Sequence, residues 1–551
     1  MKLSRKFYRF FGLSLTAAVL SACGGSGERG VGAQQANLDG QVARSTGTPS
    51  TVTHYAASRF LEQASMGPSP NSVARVRQIG FQAWIDEQLK KPASLIVTPP
   101  DLINFDQNAD QARVDRAFAS HKNSLYDMAV GADDELRYRV TWVLSNFLVT
   151  STQTIPPVGG SRYWDTLMGS AFGSYGAMLK AISLSPAMGH YLDNRRNTKG
   201  NLNENYGREL MQLFSVGMVL LNPDGSVKRD ATGKLIETYS QRDVIEITRA
   251  LTGWDFVPLS EELKKIPNNL NWANYAFTMV PRPASQHDTD AKLVLGKSIP
   301  AGGDAARDLD AVIEILMSHP NTAPFVSLRL IQGLTTSDPS PAYLGRVSAV
   351  FTQTKGDLAA VVRSILLDSE ARAGDVPGKG PTHFGRIREP FLLQTSVLRG
   401  MGCRLATRSA NRPLEVDGAG GLYPLNAPSV FNFYPPNHRA PKSNLLAPEQ
   451  KSLLSSEFSS RLGRYWEWQD DQVLLAAGCD VEPFKRAIAK SDEALLELIS
   501  ERYFRGAMSG TVRQGLKDGL AGQSWQRETP TKLLGAMVQM ATMTPPMGAI
   551  K

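Results

Sequence analysis

Cysteine is nearly absent from this chain: three residues in 551. There are no paired Cys-x-x-Cys steps, so tandem-Cys zinc sites, a dense disulfide framework and c-type haem attachment are all excluded. Other signatures are missing too. No His-Glu-x-x-His, no Gly-x-Ser-x-Gly and no phosphate-cradling glycine loop occurs. After the first 20 residues no run of 18 or more apolar residues appears, so the body should not cross a membrane as a helix. Lysine and arginine never form a run. The net charge is +8, and four of those positive charges (Lys2, Arg5, Lys6, Arg9) belong to the leader, which leaves +4 for the mature chain. That weak excess fits a mixed solvated surface, and nucleic-acid binding is not expected.

What the chain does have begins at its N-terminus. A basic segment is followed by a short apolar core, Phe11 to Leu20, and then by Leu20-Ser21-Ala22-Cys23. That order is a lipoprotein signal over residues 1–22, with Cys23 as the residue that carries the lipid. Lipid of this kind implies an exported protein anchored in the cell envelope. With Gly24 rather than Asp after the cysteine, a Gram-negative host would sort it to the outer membrane. Residues 23–52 are rich in Gly, Ser, Ala, Gln and Thr, too poor in large apolar side chains to fold, and read as a flexible tether. Cys403 and Cys479 then remain for the body. They can pair in an oxidising envelope or stay as two buried thiols, and the sequence leaves both open.

Residues 53–545 carry helical periodicity almost throughout. Helices are expected at 56–66, 72–91, 136–149, 163–172, 175–184, 203–216, 240–251, 304–318, 321–333, 341–353, 357–368 and 384–401, with several more between 449 and 542. Turn signals at Asn222-Pro223-Asp224-Gly225 and Thr232-Gly233 predict one or two β-hairpin arms over 219–239. Short strands are expected near 277–280 and 292–295. Residues 405–448, rich in Pro, Gly and Asn, read as a long loop. The fold class is therefore mainly α: a large multi-helix globular domain with small β-hairpin insertions, divisible into lobes at 53–260 and 285–545.

The densest polar stretch is Asn203-Glu-Asn-Tyr-Gly-Arg-Glu-Leu210, on a helix whose other face is apolar. Residues four apart share a face, so Glu204 meets Arg208, and Asn205 lies one turn before Glu209. Glu204 and Glu209 diverge, so a site here needs help from elsewhere. Candidates are Glu246 from the next helix and His287-Asp288 from the irregular segment. In the catalytic reading, Glu209, Glu246, His287 and Asp288 converge, one carboxyl has a raised pKa, and Asn203, Asn205, Arg208 and Arg249 bind an anionic group. A metal held there by His and carboxylates would be zinc, manganese or iron; the sequence names neither metal nor cofactor. The alternative is a buried ion-pair network joining two packed helices. In that case Asp243 caps its own helix, Asn203 or Asn201 caps the one before, and Trp254 is a core anchor. Phe431-Asn432-Phe433-Tyr434-Pro435-Pro436 either presents aromatics to a ligand or pins the long loop to the core.

Taken in order, these blocks resemble a known family. Asn203–Leu210, Tyr239-Ser-Gln-Arg-Asp-Val244, Arg249-Ala-Leu-Thr-Gly-Trp254, His287-Asp288 before Leu295-Gly296, and His319-Pro320 are similar to signature blocks of the bacterial domain of unknown function 1800. Ala57-Ser-Arg-Phe-Leu61, Leu136-Arg-Tyr-Arg-Val140, Pro186-Ala-Met-Gly189 and Ala427–Tyr434 extend the likeness over about residues 54–540. Gly207 departs from it, standing where Ala is usual. The resemblance implies an envelope role and a sulfatase-like partner of the neighbouring domain of unknown function 1501 family. It supplies no reaction. The expectation is thus a lipid-anchored envelope protein that binds or assembles with a partner. The alternative is an envelope hydrolase or metal-dependent enzyme built on the carboxylate and His set.

Overall fold

Buried arginines organise the helices of this protein. A computed structural model describes residues 52–265, 272–405, 422–452, 474, 477–522 and 529–551. The leader, Cys23, the tether up to residue 51, residues 406–421 of the long loop, and residues 453–473, 475–476 and 523–528 of the stretch where further helices are expected lie outside the described residues. By its contacts the chain divides into two units, residues 1–42 and 43–551, and everything that follows concerns the second.

The first helices are α1 (His54–Ala64), α2 (Pro70–Lys90), α3 (Gln111–Gly131), α4 (Glu135–Ser145), α5 (Pro157–Ser170), α6 (Tyr175–Ser183) and α7 (Pro186–Tyr191). Helix α4 is buried on every face from Leu136 to Ser145 and packs against α1, α2, α3 and α5. Such a helix can hold no solvated charge, yet it carries Arg137 and Arg139. Both guanidiniums donate to backbone carbonyls: Arg137 to Met168 (3.1 Å) and Lys91 (3.0 Å), Arg139 to Gly333 (2.8 Å) and Gln63 (3.3 Å). These carbonyls lie at or near the C-terminal ends of helices, where acceptors have no intrahelical partner and the dipole favours a cation. Burial still tells on Arg139, whose pKa is pushed down to about 9.

Next come α8 (Asn205–Gln212), α9 (Gln241–Ala250) and α10 (Glu261–Lys264). Of the one or two hairpin arms expected over 219–239, two are present, as bridges Val219–Glu237, Leu221–Val227 and Arg229–Leu235. Gly225 and Gly233 sit at their tips with φ of +80° and +84°, the left-handed region that favours glycine. Among the described residues, strands are confined to three antiparallel pairs. β1 (Trp254–Asp255) pairs with β2 (Val280–Pro281), and β3 (Lys292–Val294) with β4 (Lys297–Ile299). The third joins β5 (Arg386–Ile387) to β6 (Ala549–Ile550), tying the last residues to the segment just before Pro390.

Helices α11 (Ala305–Ser318), α12 (Thr322–Leu334), α13 (Pro341–Gln353), α14 (Leu358–Leu367) and α15 (Ser369–Arg372) precede α16 (Pro390–Gly400), which is buried throughout. The last are α17 (Glu482–Lys490), α18 (Asp492–Tyr503), α19 (Gly510–Ala521) and α20 (Pro530–Thr542). Among the described residues, no helix is long and apolar enough to cross a membrane. Cys403 and Cys479, both buried, form a disulfide.

Several expectations need correction; the helix expected at 163–172 begins six residues earlier and runs Pro157–Ser170, with Pro157 at its first position. Helix α3 has no counterpart among the expected elements: only Ala117, His121, Leu125, Tyr126, Ala129 and Val130 of its 21 residues are buried, too sparse a stripe to read. The helix expected at 384–401 starts only at Pro390, because Arg386 and Ile387 pair with the C-terminus instead. Helix α8 is shorter than 203–216. After Gln212 the chain widens, with Phe214 N donating to Glu209 O and Val216 N to Met211 O, until Gly217 closes it at φ +70°.

Candidate functional site

Two packed helices build the region that the sequence singles out. Helix α9 opens with a reciprocal cap: Asp243 N donates to Ser240 Oγ, and Ser240 N and Oγ donate back to the Asp243 carboxylate (2.9 and 2.7 Å). Asp243 also accepts from Leu295 N at 2.9 Å. Burial works against its charge, but these bonds outweigh it and hold the carboxyl below its usual range. Helix α8 lies against α9 at a close approach made by Gly207. A Cβ there would stand 2.8 Å from Thr248 Oγ1 and 3.1 Å from Ile247 Cγ2. The glycine at a position where alanine is usual in the resembled family thus has a packing reason here. The cap of α8 is displaced by one residue from the expectation: Glu204 occupies the cap position without a side-chain bond to the helix amides, while Asn203 Oδ1 accepts from Asn205 N at 3.1 Å.

At the far end of α9, Thr252-Gly253-Trp254 turns the chain. Gly253 has φ +86°, and an added Cβ would meet His287 Cβ at 3.0 Å, so only glycine lets the 287 segment approach. Trp254 is a buried core residue.

Arg249 then gathers the acids. Its Nε and Nη2 donate to Asp288 (2.8 and 3.3 Å), and its Nη1 to Glu246 (2.8 Å) and to the carbonyl of Ala291 (3.3 Å). Glu246 takes a second bond from Leu293 N, and Asp288 one from Asp290 N. Burial raises the Asp288 carboxyl, but Arg249 and the Asp290 amide outweigh it and leave it below its ordinary range. Arg249 is correspondingly raised, chiefly by its bond to Asp288.

His287 faces the other way. Its Nδ1 lies 3.0 Å from Thr252 O and 3.1 Å from Thr252 Oγ1. A carbonyl only accepts, so Nδ1 carries the proton. Nε2 lies 3.3 Å from Asp308 on α11, at ion-pair distance but not aligned for a hydrogen bond. Asp308 also takes the fully buried Lys292 ammonium at 2.5 Å, and Lys292 donates in addition to Asp288 O. Burial disfavours the Asp308 charge; His287 and Lys292 overcome this and keep its pKa low.

Glu209 stands apart from this group. Burial pushes its carboxyl up to about 7 against a weaker opposing pull from Arg208, and its Oε2 is buried without a hydrogen-bond partner. Its other titratable neighbour is Tyr239, a neutral phenol whose hydroxyl donates to Gln212 Oε1 at 3.0 Å. On the rim of α8, Arg208 donates to Glu204 (2.7 Å) and to Gln241 (3.1 Å), and Gln241 bridges back to Glu204 (2.9 Å). Asn205 reaches Asp193 at 3.3 Å.

The structure therefore brings Glu246, Arg249, Asp288 and His287 into one neighbourhood and leaves Glu209, Arg208, Asn203 and Asn205 in another. Among the described residues, His287 meets no carboxylate from α8 or α9, and no three His, Cys, Asp or Glu residues are grouped to hold a metal ion. Sequence reasoning missed Asp308, Lys292, Thr252 and Asn197. Asn197 is fully buried and ties the helix pair together: its Nδ2 donates to Thr248 O, its Oδ1 accepts from Asn203 N, and its carbonyl accepts from Gly253 N. A lysine between apolar residues in an expected strand was the one available signal.

The aromatic loop is attached to the core. Tyr434 donates to Glu389 at 2.9 Å and Asn432 to Asn146 Oδ1 at 2.7 Å, while Phe431 is exposed.

A family model described as "Protein of unknown function (DUF1800)" matches residues 59–547. The chain belongs to that family. No curated protein and no solved structure matches it.

Proposed function

We propose that this is a lipid-anchored cell-envelope protein, held by acyl chains on Cys23, that binds or assembles with an envelope partner through the exposed rim of α8 and α9. The observation that carries the reading is how the polar residues are spent. Asp288, Glu246, Arg249 and His287 are engaged by each other and by Asp308, Lys292, Thr252 and backbone amides, which is what a structural clamp requires. What remains outside is a surface. The half-buried Glu204 and Arg208 and the exposed Gln241 form a polar ladder at the surface; Ile245, one turn beyond Gln241, is 38% exposed, and Leu293, whose amide bonds Glu246, is 45% exposed. Apolar side chains set among paired charges suit a protein contact of modest size. The sulfatase-like family implied by the sequence resemblance supplies the candidate partner. Copurification of the chain with such a partner encoded beside it, using wild type and Ile245→Glu, tests this. Loss of the partner in the variant is expected; equal recovery from both proteins rejects the rim. Membrane retention that survives Cys23→Ala rejects the anchor.

Glu209 favours a second reading, in which the protein is an envelope hydrolase. A carboxyl pushed up to about 7, with one oxygen buried and unbonded beside a Tyr, has the properties of a proton-transfer group. Turnover of an ester or glycoside that rises through pH 7 and disappears in Glu209→Gln would support it. Turnover unaffected by that change would remove it.

A further inference from the structure

We propose that the junction of α1, α2 and α18 is a binding pocket for a phosphate-type oxyanion. A cavity of about 120 Å³ lies there. A single water needs roughly 10–15 Å³ on the same scale. Its polar lining is His54 and Ser58 from α1, Ser69 at the cap of α2 and Arg77 about two turns along it, and Glu501 and Arg502 from α18.

The two arginines set this cavity apart. Other arginines at this end of the fold have acceptors: Arg59 bonds Asp375 and the Ala371 carbonyl, and Arg388 and Arg505 share Glu62. Arg77 and Arg502 have no carboxylate partner among the described residues, and Arg502 Nε is buried with no hydrogen bond at all. A buried guanidinium N–H left unmade costs free energy, so its presence calls for an acceptor. Two guanidiniums, the exposed Arg77 and the half-buried Arg502, face one carboxylate in the lining, Glu501, which is itself exposed. His54 contributes as well. Its Nε2 lies 3.0 Å from the Glu501 carbonyl, which can only accept, so Nε2 carries the proton. Nδ1 is left without a partner among the described residues.

The start of α2 is not the source of the attraction. Ser69 and Ser72 satisfy each other's amides in a capping box, and Pro70 has no N–H to offer. Recognition falls to the forked donors of the two arginines, which suit the oxygens of a phosphate better than a point charge does. The phosphate can be free or can belong to a lipid headgroup.

The test uses the full chain carrying Cys23→Ala, so that acylation contributes nothing to membrane binding. Calorimetric titration with inorganic phosphate, against chloride at matched ionic strength, should show one saturable site. Arg77→Gln and Arg502→Gln should each weaken it by about tenfold. Arg75→Gln, which alters an exposed arginine paired with Glu87, should leave it unchanged. Since neither pocket arginine has a carboxylate partner among the described residues, both Gln variants should melt like wild type in phosphate-free buffer. Arg77→Lys and Arg502→Lys, which keep the charge and lose the fork, should fall between. Cosedimentation with phosphatidylglycerol and phosphatidylcholine vesicles separates the sources. Phosphatidylglycerol binding that needs both arginines assigns the headgroup; phosphate binding without it assigns the free ion. Absence of saturable phosphate binding, or binding indifferent to both arginines, overturns the proposal.

Discussion

Replacing Glu209 with Gln should make the protein more stable at pH 8 and leave it almost unchanged in acid. The folded chain pushes this carboxyl from 4.5 up to about 7, because burial removes water from Oε2 and nothing bonds it in return. An acid whose folded-state pKa lies above its unfolded value favours the fold while protonated. That advantage is complete below pH 4.5 and is lost as the pH climbs through about 7. A tenfold difference in proton affinity between the folded and unfolded chain corresponds to about 1.4 kcal/mol. The cost of ionising Glu209 should therefore grow from about 1 kcal/mol at pH 5 to about 3 kcal/mol at pH 8, an upper figure because the side chain keeps some solvent contact. Glutamine copies the neutral carboxyl at every pH and escapes the cost.

Thermal melting reads the difference. Unfolding entropy scales as roughly 2 cal/mol/K per residue, so for a body of roughly 500 residues 1 kcal/mol moves Tm by about 1 °C. The gap between Glu209→Gln and wild type should widen by about 2 °C from pH 5 to pH 8. Other groups that titrate in this range, such as Asp165, which burial pushes up to about 6, are common to both proteins and cancel. A gap that stays flat with pH, or a variant less stable than wild type at pH 8, would refute the assignment of a buried, unpaired carboxyl.

Gly253→Ala combines a left-handed backbone, worth about 1–2 kcal/mol, with a contact at 3.0 Å to His287 Cβ. Tm should fall by about 2–4 °C, with a change in the His287 ring signals by NMR. Cys403 and Cys479 are 76 residues apart, so closing that loop in the unfolded chain is worth about 4 kcal/mol of entropy. Cys403→Ser should lower Tm by about 4 °C in non-reducing buffer and lose its difference from wild type once both are reduced. Arg386 donates to Glu389 at 2.5 Å and to Glu449 at 3.0 Å, all three buried. Arg386→Met strands two carboxylates and should cost about 3–5 kcal/mol in a denaturant titration at neutral pH, with part recovered in acid as they protonate.

How far the fold could be read in advance depended on whether a signal was local. Helices α11 to α14 fall within about two residues of the expected ranges, because periodic apolar positions and caps such as Asp304 and Ser340 lie inside the same short window. The cap of α9, the left-handed Gly253 and the hairpin glycines are legible for the same reason. What escapes is tertiary. Pairing of Arg386 with Ile550 spans most of the second half of the chain, and no local pattern announces it. Buried arginines on α4 look like the exposed face of an amphipathic helix until the carbonyls they meet are known.

The polar helix shows where that limit falls at the site. Glu204 with Arg208 follows from four-residue spacing alone, and the structure has it at 2.7 Å. The fate of Arg249 does not. The sequence offers it Glu246 at three residues, but Asp288, 39 residues on, takes the two-point contact. Once Asp288 is committed there, His287, its neighbour, turns to the opposite side and meets Asp308. Successive residues in an extended segment point to opposite faces, so a His-Asp pair in such a segment cannot serve one centre with both side chains. That is why the 287–288 segment clamps α9 to α11 and does not reach the Glu209 face. It also means that any proton transfer by Glu209 must draw on Tyr239, Gln212 and Arg208, residues within its own neighbourhood.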